Sequence, residues 1–216
     1  MNTLLLILLS IIAVNFLFEL ILDILNLRNR HKPLPEILSD VYPEDRYRFQ
    51  QSYEVETTRF SFLKSTLSLI AIVMLLVFGV FGKLHIWVSG FGYGEVFTTL
   101  LFFGILALAS RFLSLPFSVW GTFVIEEKYG FNKTTPKTFI LDIIKSLILT
   151  AIIGGGLLAL ITWVFYATGE WFWLIALGVM LNFSLIANAL YSRVIVPLFN
   201  RQEPLQEGEL LNIIKE

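Results

Sequence analysis

Long runs of apolar side chains, broken by short polar stretches, organise this chain from end to end. Five runs, at residues 3–27, 62–82, 96–119, 139–168 and 170–199, reach or exceed the ~20 residues a helix needs to cross a hydrocarbon core ~30 Å thick. Only a turn around Ala167-Thr168-Gly169 separates the last two. In lipid each backbone polar group must be satisfied within its own segment, so the runs predict helices. A β-barrel would show alternating strands of ~10 residues, and no such alternation occurs. The expected fold is therefore all-α, a polytopic membrane protein of five transmembrane helices. The first run differs from a signal peptide: no basic residue precedes it, its apolar stretch exceeds the usual ~7–15 residues, and no small-x-small cleavage site follows. It carries Asn15, Glu19 and Asp23 at a spacing of four, which places them near one helix face.

The polar stretches give an orientation. No Lys or Arg precedes the first run, whereas Arg28, Arg30, Lys32, Arg46, Arg48 and Arg59 lie between the first and second, with Lys64 at the next helix entrance. Only Lys83 lies between the second and third. Lys128, Lys133 and Lys137 lie between the third and fourth, none between the fourth and fifth, and Arg201 and Lys215 after the fifth, with Arg193 in its last turns. Basic residues are retained on the cytoplasmic side, so the amino terminus is expected outside and the carboxyl terminus in the cytoplasm. Tyr166, Trp171 and Trp173 flank one expected outside turn. Trp87 lies in the other, which Gly79, Gly82, Gly90, Gly92 and Gly94 loosen; amphipathic rings favour the headgroup level.

Composition narrows the classes. Of 216 residues, 56% are hydrophobic and 15% charged, and the mean hydropathy is +0.75. Soluble domains carry about 25% charged residues, so a water-soluble globular domain is excluded. Twenty Phe, 5 Trp and 7 Tyr are too much apolar surface for a disordered chain. A net charge of −1 offers no basic field for nucleic acid. The absence of cysteine rules out disulfides and thiolate metal sites.

Polar residues inside the runs are candidates for a hydrated interior. Arg111 lies well within the third run, where a guanidinium must be paired, hydrated or snorkelling; Glu19, Asp23 and Asp142 are possible partners. Asn182 and Asn188 are expected to hydrogen-bond across helices, and Pro116 to free a carbonyl near the end of the third run. Gly154-Gly155-Gly156 reads as a close helix contact or a flexible point. His31 and His85 fall on opposite sides of the membrane in this topology and cannot share a metal. No HExxH, phosphate-binding loop or GxSxG elbow occurs, so no residue of these 216 is assigned as catalytic, as a metal ligand or as a cofactor ligand.

Two polar segments carry more information. The first, Ile125-Glu126-Glu127-Lys128-Tyr129-Gly130-Phe131-Asn132-Lys133-Thr134-Thr135-Pro136-Lys137, reads as a helix stop at Gly130, then a start with Thr135 capping and Pro136 at the first helical position. That reading leaves the paired glutamates and Phe131-Asn132 unexplained. The second, Pro197-Leu198-Phe199-Asn200-Arg201-Gln202-Glu203-Pro204-Leu205-Gln206-Glu207-Gly208-Glu209-Leu210, has two prolines expected to break the helix as it leaves the membrane. An amphipathic helix is expected over residues 208–216, like the opening of a further domain.

Together, E-E-K-x-G-F-N-K-x-T and P-L-F-N-R-x-x-P-L-x-x-G-E-L resemble the amino-terminal membrane region of the CAAX prenyl protease type 1 family, multi-spanning zinc endopeptidases. Residues 49–53 and 59–61 resemble that family less distinctively, and five spans before the second motif is its count. The resemblance implies a zinc peptidase domain with an HExxH helix and two more membrane helices, all beyond Glu216. Residues 1–199 would be the five-helix membrane domain, and residues 200–216 the start of a cytoplasmic peptidase domain. Glu126, Glu127, Gly130, Phe131, Asn132, Pro197, Phe199, Asn200, Pro204 and Leu205 would lie at the junction between them. Glu19, Arg111, Asn182 and Asn188 would line a helical chamber around the active site.

By the same resemblance, zinc belongs to the full-length protein and not to this stretch. The expected partners are the bilayer, the peptidase domain and last two helices, and prenylated or other membrane-protein substrates, without nucleic acid. A bacterial member in the inner membrane is expected, or the endoplasmic reticulum membrane in a eukaryote. The competing readings are a non-catalytic scaffold or chaperone and a transporter component; the latter lacks matched broken helices.

Overall fold

The computed structural model describes residues 3–29, 33 and 43–200. It forms two compact units that divide after Pro136, and every described secondary element is helical. The first unit contains α1 (Thr3–Asn29), α2 (Glu44–Val77), α3 (Val80–Ser89) and α4 (Glu95–Trp120), the last running into a π-helical turn at Gly121–Glu126. The second contains α5 (Pro136–Leu149), a π turn (Thr150–Gly154), α6 (Gly155–Thr168), a 3₁₀ turn (Gly169–Trp171), α7 (Phe172–Leu190), a third π turn (Tyr191–Ile195) and α8 (Val196–Phe199).

Four helical stretches among the described residues are long and apolar enough to cross a membrane: Thr3–Arg28, Glu44–Val77, Glu95–Glu126 and Pro136–Phe199. The fourth holds 64 residues, and at ~1.5 Å per residue it far exceeds one ~30 Å crossing. It reverses at Gly169–Trp171, where the sequence places its turn, and α6 packs against α7. Five passes result. Large apolar side chains along them stay uncovered by protein, Phe112 at 80% and Leu185 at 72% exposure among them. That is the surface of helices solvated by lipid, whose tails are as apolar as leucine. Few side chains are buried: Val88, Ile125, Val164, Thr98 and Thr162 among the described residues. The Thr162 hydroxyl donates to the Leu158 carbonyl at 2.8 Å, so its burial leaves no unmet donor.

The second run departs from its expected bounds of 62–82. The helix starts at Glu44, 18 residues before the apolar run, and α2 spans 34 residues. Its polar part holds a helix-stabilising pair, Arg48 to Glu44 at 2.6 Å, one turn apart. It stops at Val77 because Gly79 takes φ +62°, a left-handed conformation open to glycine at little cost. Past this break, α3 carries His85 and Trp87, which the sequence placed in a loop. Ten residues span only ~15 Å, too short to cross. Gly82 lies inside α3, while Gly90, Gly92 and Gly94 fall at its end and in the connection to α4.

One proline, Pro197, and the glycine triplet also differ from expectation, whereas Pro116 lies near the end of α4 as expected. Pro116 is carried inside α4, and Pro197 sits in the first turn of α8, whose helix continues to Phe199 before Asn200 becomes extended. The π turn ends at Ile195 and α8 begins at Val196, so Pro197 falls in a fresh first turn, where a proline fits. A Cβ at Gly155 or Gly156 would meet no atom within 4 Å. Among the described residues Gly155 and Gly156 thus make no close helix contact; the triplet marks the end of a π turn and the start of α6.

Candidate functional site

The π turn that extends α4 packs against α2 and buries Ile125. Beyond it the chain turns sharply at Gly130, φ +72°, as the sequence predicts for that residue. The amides of Phe131 and Asn132 both donate to the Glu126 carbonyl, at 2.9 and 3.2 Å, and Gly130 N–H donates to the Glu127 carbonyl at 3.1 Å. Asn132 then closes the loop with both ends of its side chain. Its amide donates to the Glu127 carboxylate at 2.8 Å, and its oxygen accepts the Thr134 N–H at 2.7 Å. This accounts for two residues that a helix-stop reading leaves unexplained: Glu127 serves through its carboxylate, and Asn132 supplies a donor and an acceptor from one short amide. A helix restarts at Pro136, as predicted.

The polar part of α2 fixes this loop from outside. Glu56 accepts from Lys128 Nζ at 2.6 Å and from the Tyr129 hydroxyl at 2.7 Å. The Tyr129 ring meets Phe49 and Tyr53 edge-on, each at 5.2 Å, and Tyr53 meets Phe131 at 4.8 Å. Such aromatic pairs add to simple burial. The hydrogen bond from Lys128, then that from Tyr129, holds the Glu56 carboxyl below its ordinary range. The bond to Glu56 raises both Lys128 and Tyr129, which must keep their protons to donate. Sequence reasoning missed Glu56, Lys128 and Tyr129 as a unit. The available signal was the recurrence of Phe49, Tyr53 and Glu56 on one face of a polar helix.

The second motif begins on α8 and is held differently. Lys145, on α5, donates to the Leu198 carbonyl at 3.0 Å, lies 5.7 Å from the centre of the Phe199 ring and pairs with Asp142 at 3.3 Å. A lysine inside the fourth apolar run was the overlooked signal. Asn200 closes the helix by donating its N–H to the Val196 carbonyl at 2.9 Å. Pro204, Leu205, Arg201 and the helix expected at 208–216 lie outside the described residues, as does His31.

Asn15 donates to Glu19 at 3.1 Å, and both face a groove of about 560 Å³ between α1 and α2 whose other wall includes Ser65 and Ser68. Arg111 is half-buried on α4 and pairs with neither Glu19 nor Asp23. Asn182 bonds within its own helix, to the Gly178 carbonyl at 2.9 Å, and not across helices. It borders a largely apolar groove between α6 and α7. Asn188 is exposed on α7. His85 sits edge-on to Phe102 at 6.3 Å, and no group of three or more His, Asp or Glu able to hold a metal occurs among the described residues.

Residues 23–201 match the family described as CAAX prenyl protease N-terminal, five membrane helices. The rice (Oryza sativa subsp. japonica) CAAX prenyl protease 1 homolog is 31% identical over 209 residues, covering 93% of this chain and 49% of the relative. The mouse (Mus musculus) homolog of the same name is 32% identical over 186 residues, covering 82% of this chain and 39% of the relative. The crystal structure of S. mikatae Ste24p matches with a TM-score of 0.91 at 29% identity, covering 100% of this chain and 52% of that one. The chain thus spans about half or less of the length of these relatives. All are eukaryotic, so they lend no support to a bacterial inner membrane.

Proposed function

Because the chain belongs to the CAAX prenyl protease amino-terminal family, we propose that it is the membrane half of an integral-membrane zinc endopeptidase cleaving prenylated or other membrane-associated proteins. The agreement of the whole chain with the S. mikatae structure is the observation that carries this reading. Residues 1–199 form the five-helix domain, with the amino terminus outside and the carboxyl terminus cytoplasmic, and residues 200–216 open the peptidase domain. The asymmetry of Lys and Arg between loops supports this orientation.

The described residues do not provide a zinc site: no set of three donors converges, and His85 is turned to a phenyl ring. In this reading the metal of the family belongs to other parts of the full-length protein. The work of the described residues is positional. Asn132 and Glu127 shape the first motif, Glu56 fixes it to α2, and Lys145 holds the start of the second at Leu198. In this reading Glu126, Glu127, Gly130, Phe131, Asn132, Pro197, Phe199 and Asn200, with Pro204 and Leu205, form the junction to the peptidase domain. Glu19, Arg111, Asn182 and Asn188 line the chamber, where ionisable side chains find water; the Asn15–Glu19 groove supports this for Glu19.

Full-length protein reconstituted in liposomes should hydrolyse a prenylated peptide, lose that activity to a chelator and regain it with zinc. Metal-loaded protein that cleaves neither prenylated peptides nor membrane proteins would overturn the proposal.

A further inference from the structure

A third groove, of about 700 Å³, follows α2 from Arg48 to Arg59, with Val55 between them and Lys128 reaching in from the loop after α4. Its charges are unequal in their commitments. Arg48 pairs with Glu44 and Lys128 with Glu56, each at 2.6 Å, so these four charges cancel. Arg59 forms no ion pair among the described residues and gives the groove its one uncompensated charge. Lys128 gives one of three N–H donors to Glu56 and keeps two.

The depth of this charge follows from the helix. From Phe60 to its end at Val77, α2 has 18 residues, among which only Lys64 is charged. At ~1.5 Å per residue that is ~27 Å of helix, close to the ~30 Å hydrocarbon core. Arg59 therefore stands at the hydrocarbon boundary. Glu56, with Lys128 bound to it, stands about one turn farther out, ~5 Å along the axis, within the headgroup layer.

We propose that this groove is a binding site for the phosphate of an anionic phospholipid, with Arg59 as its charged base and Lys128 as a lateral donor. Glu56 is already engaged by Lys128 and Tyr129, which offsets its repulsion of the phosphate, and the fixed Lys128 presents its remaining donors without further ordering. The inference rests on α2 crossing the bilayer and is independent of the peptidase reading.

Native mass spectrometry of the purified protein in detergent tests it, using phosphatidylglycerol, phosphatidylcholine and inorganic phosphate as separate probes. Phosphatidylglycerol should be retained above phosphatidylcholine. Arg59→Gln should lower that retention about fivefold, the effect of one basic residue at an anionic surface. Arg59→Lys should keep most of it, and Lys83→Gln, on α3, should leave it unchanged. Because Arg59 is exposed and forms no ion pair among the described residues, Arg59→Gln should keep the wild-type helix signal in circular dichroism. Equal retention of phosphatidylglycerol by wild type and Arg59→Gln would overturn the site. Retention of inorganic phosphate without any preference for the anionic lipid would overturn the lipid as its ligand.

Discussion

The two family motifs sit at comparable places, each just beyond a π turn at the end of a membrane helix, yet they are secured in different ways. The first is enclosed by its own unit: α2 supplies a carboxylate and two aromatic rings, and Asn132 closes the loop internally. Of the second motif the described residues are 197–200, and there Lys145 ties the chain to a carbonyl and a ring. A loop fixed by many contacts over 70 residues apart in sequence keeps its shape as a unit. A segment fixed at one carbonyl takes its direction from the helix it ends. The first motif is thus a finished platform, and the described part of the second is a helix end that Lys145 steadies.

That contrast can be broken at graded strengths. Ile125→Ala should weaken the first motif most, by about 2–4 kcal/mol, as large-to-small changes at buried sites do; thermal unfolding in detergent would read it. Gly130→Ala should cost about 1–2 kcal/mol, since alanine must take a left-handed conformation, and should raise amide exchange over residues 126–134 while leaving 196–200 unchanged. Glu56→Gln should come next, loosening Lys128 and Tyr129 together.

Its pH dependence sharpens the point. The Glu56 contribution is present above its ordinary value of 4.5 and is lost as pH falls through the lowered native value. The Lys128 and Tyr129 contributions are present below their ordinary values of 10.5 and 10.0 and are lost as pH rises through the raised ones. Exchange protection of the first motif should be flat near neutrality and fall at both extremes, and Glu56→Gln should remove the acid limb. Lys145→Met should have the smallest effect, about 1 kcal/mol or less, with faster exchange confined to residues near Leu198. Equal loosening of both motifs by Lys145→Met would show that the contrast is wrong.

Much of this was legible in the sequence where a local rule decides the outcome. Apolar length gave the passes, a lone glycine placed the turn at Gly130, and Thr135-Pro136 placed the start of α5. What escaped was decided elsewhere. Residues 44–61 look like a polar loop to any reading that ends helices where hydrophobicity ends, although α2 runs unbroken through them because helix geometry is indifferent to which solvent surrounds it. Conversely, hydrophobicity carries on through Phe78 and Gly79, where the backbone breaks. Glu56 and Lys145 act on partners 72 and 53 positions away, and single-sequence periodicity carries no information at that range. The cross-helix role expected of Asn182 failed because a carbonyl in its own helix was within reach.

The π turns set a matter of phase. Each holds one residue more than the α turn it replaces, and one residue is ~100° of rotation on a 3.6-residue helix. Side chains beyond Gly121–Glu126, Thr150–Gly154 and Tyr191–Ile195 are thus clocked to a new azimuth relative to those before. The stripe that meets lipid along α4 or α7 need not dictate where Glu127 or Phe199 is aimed. A single-residue deletion inside either motif-proximal turn would shorten the helix by only ~1.5 Å, yet swing the motif about a quarter-turn around the helix axis.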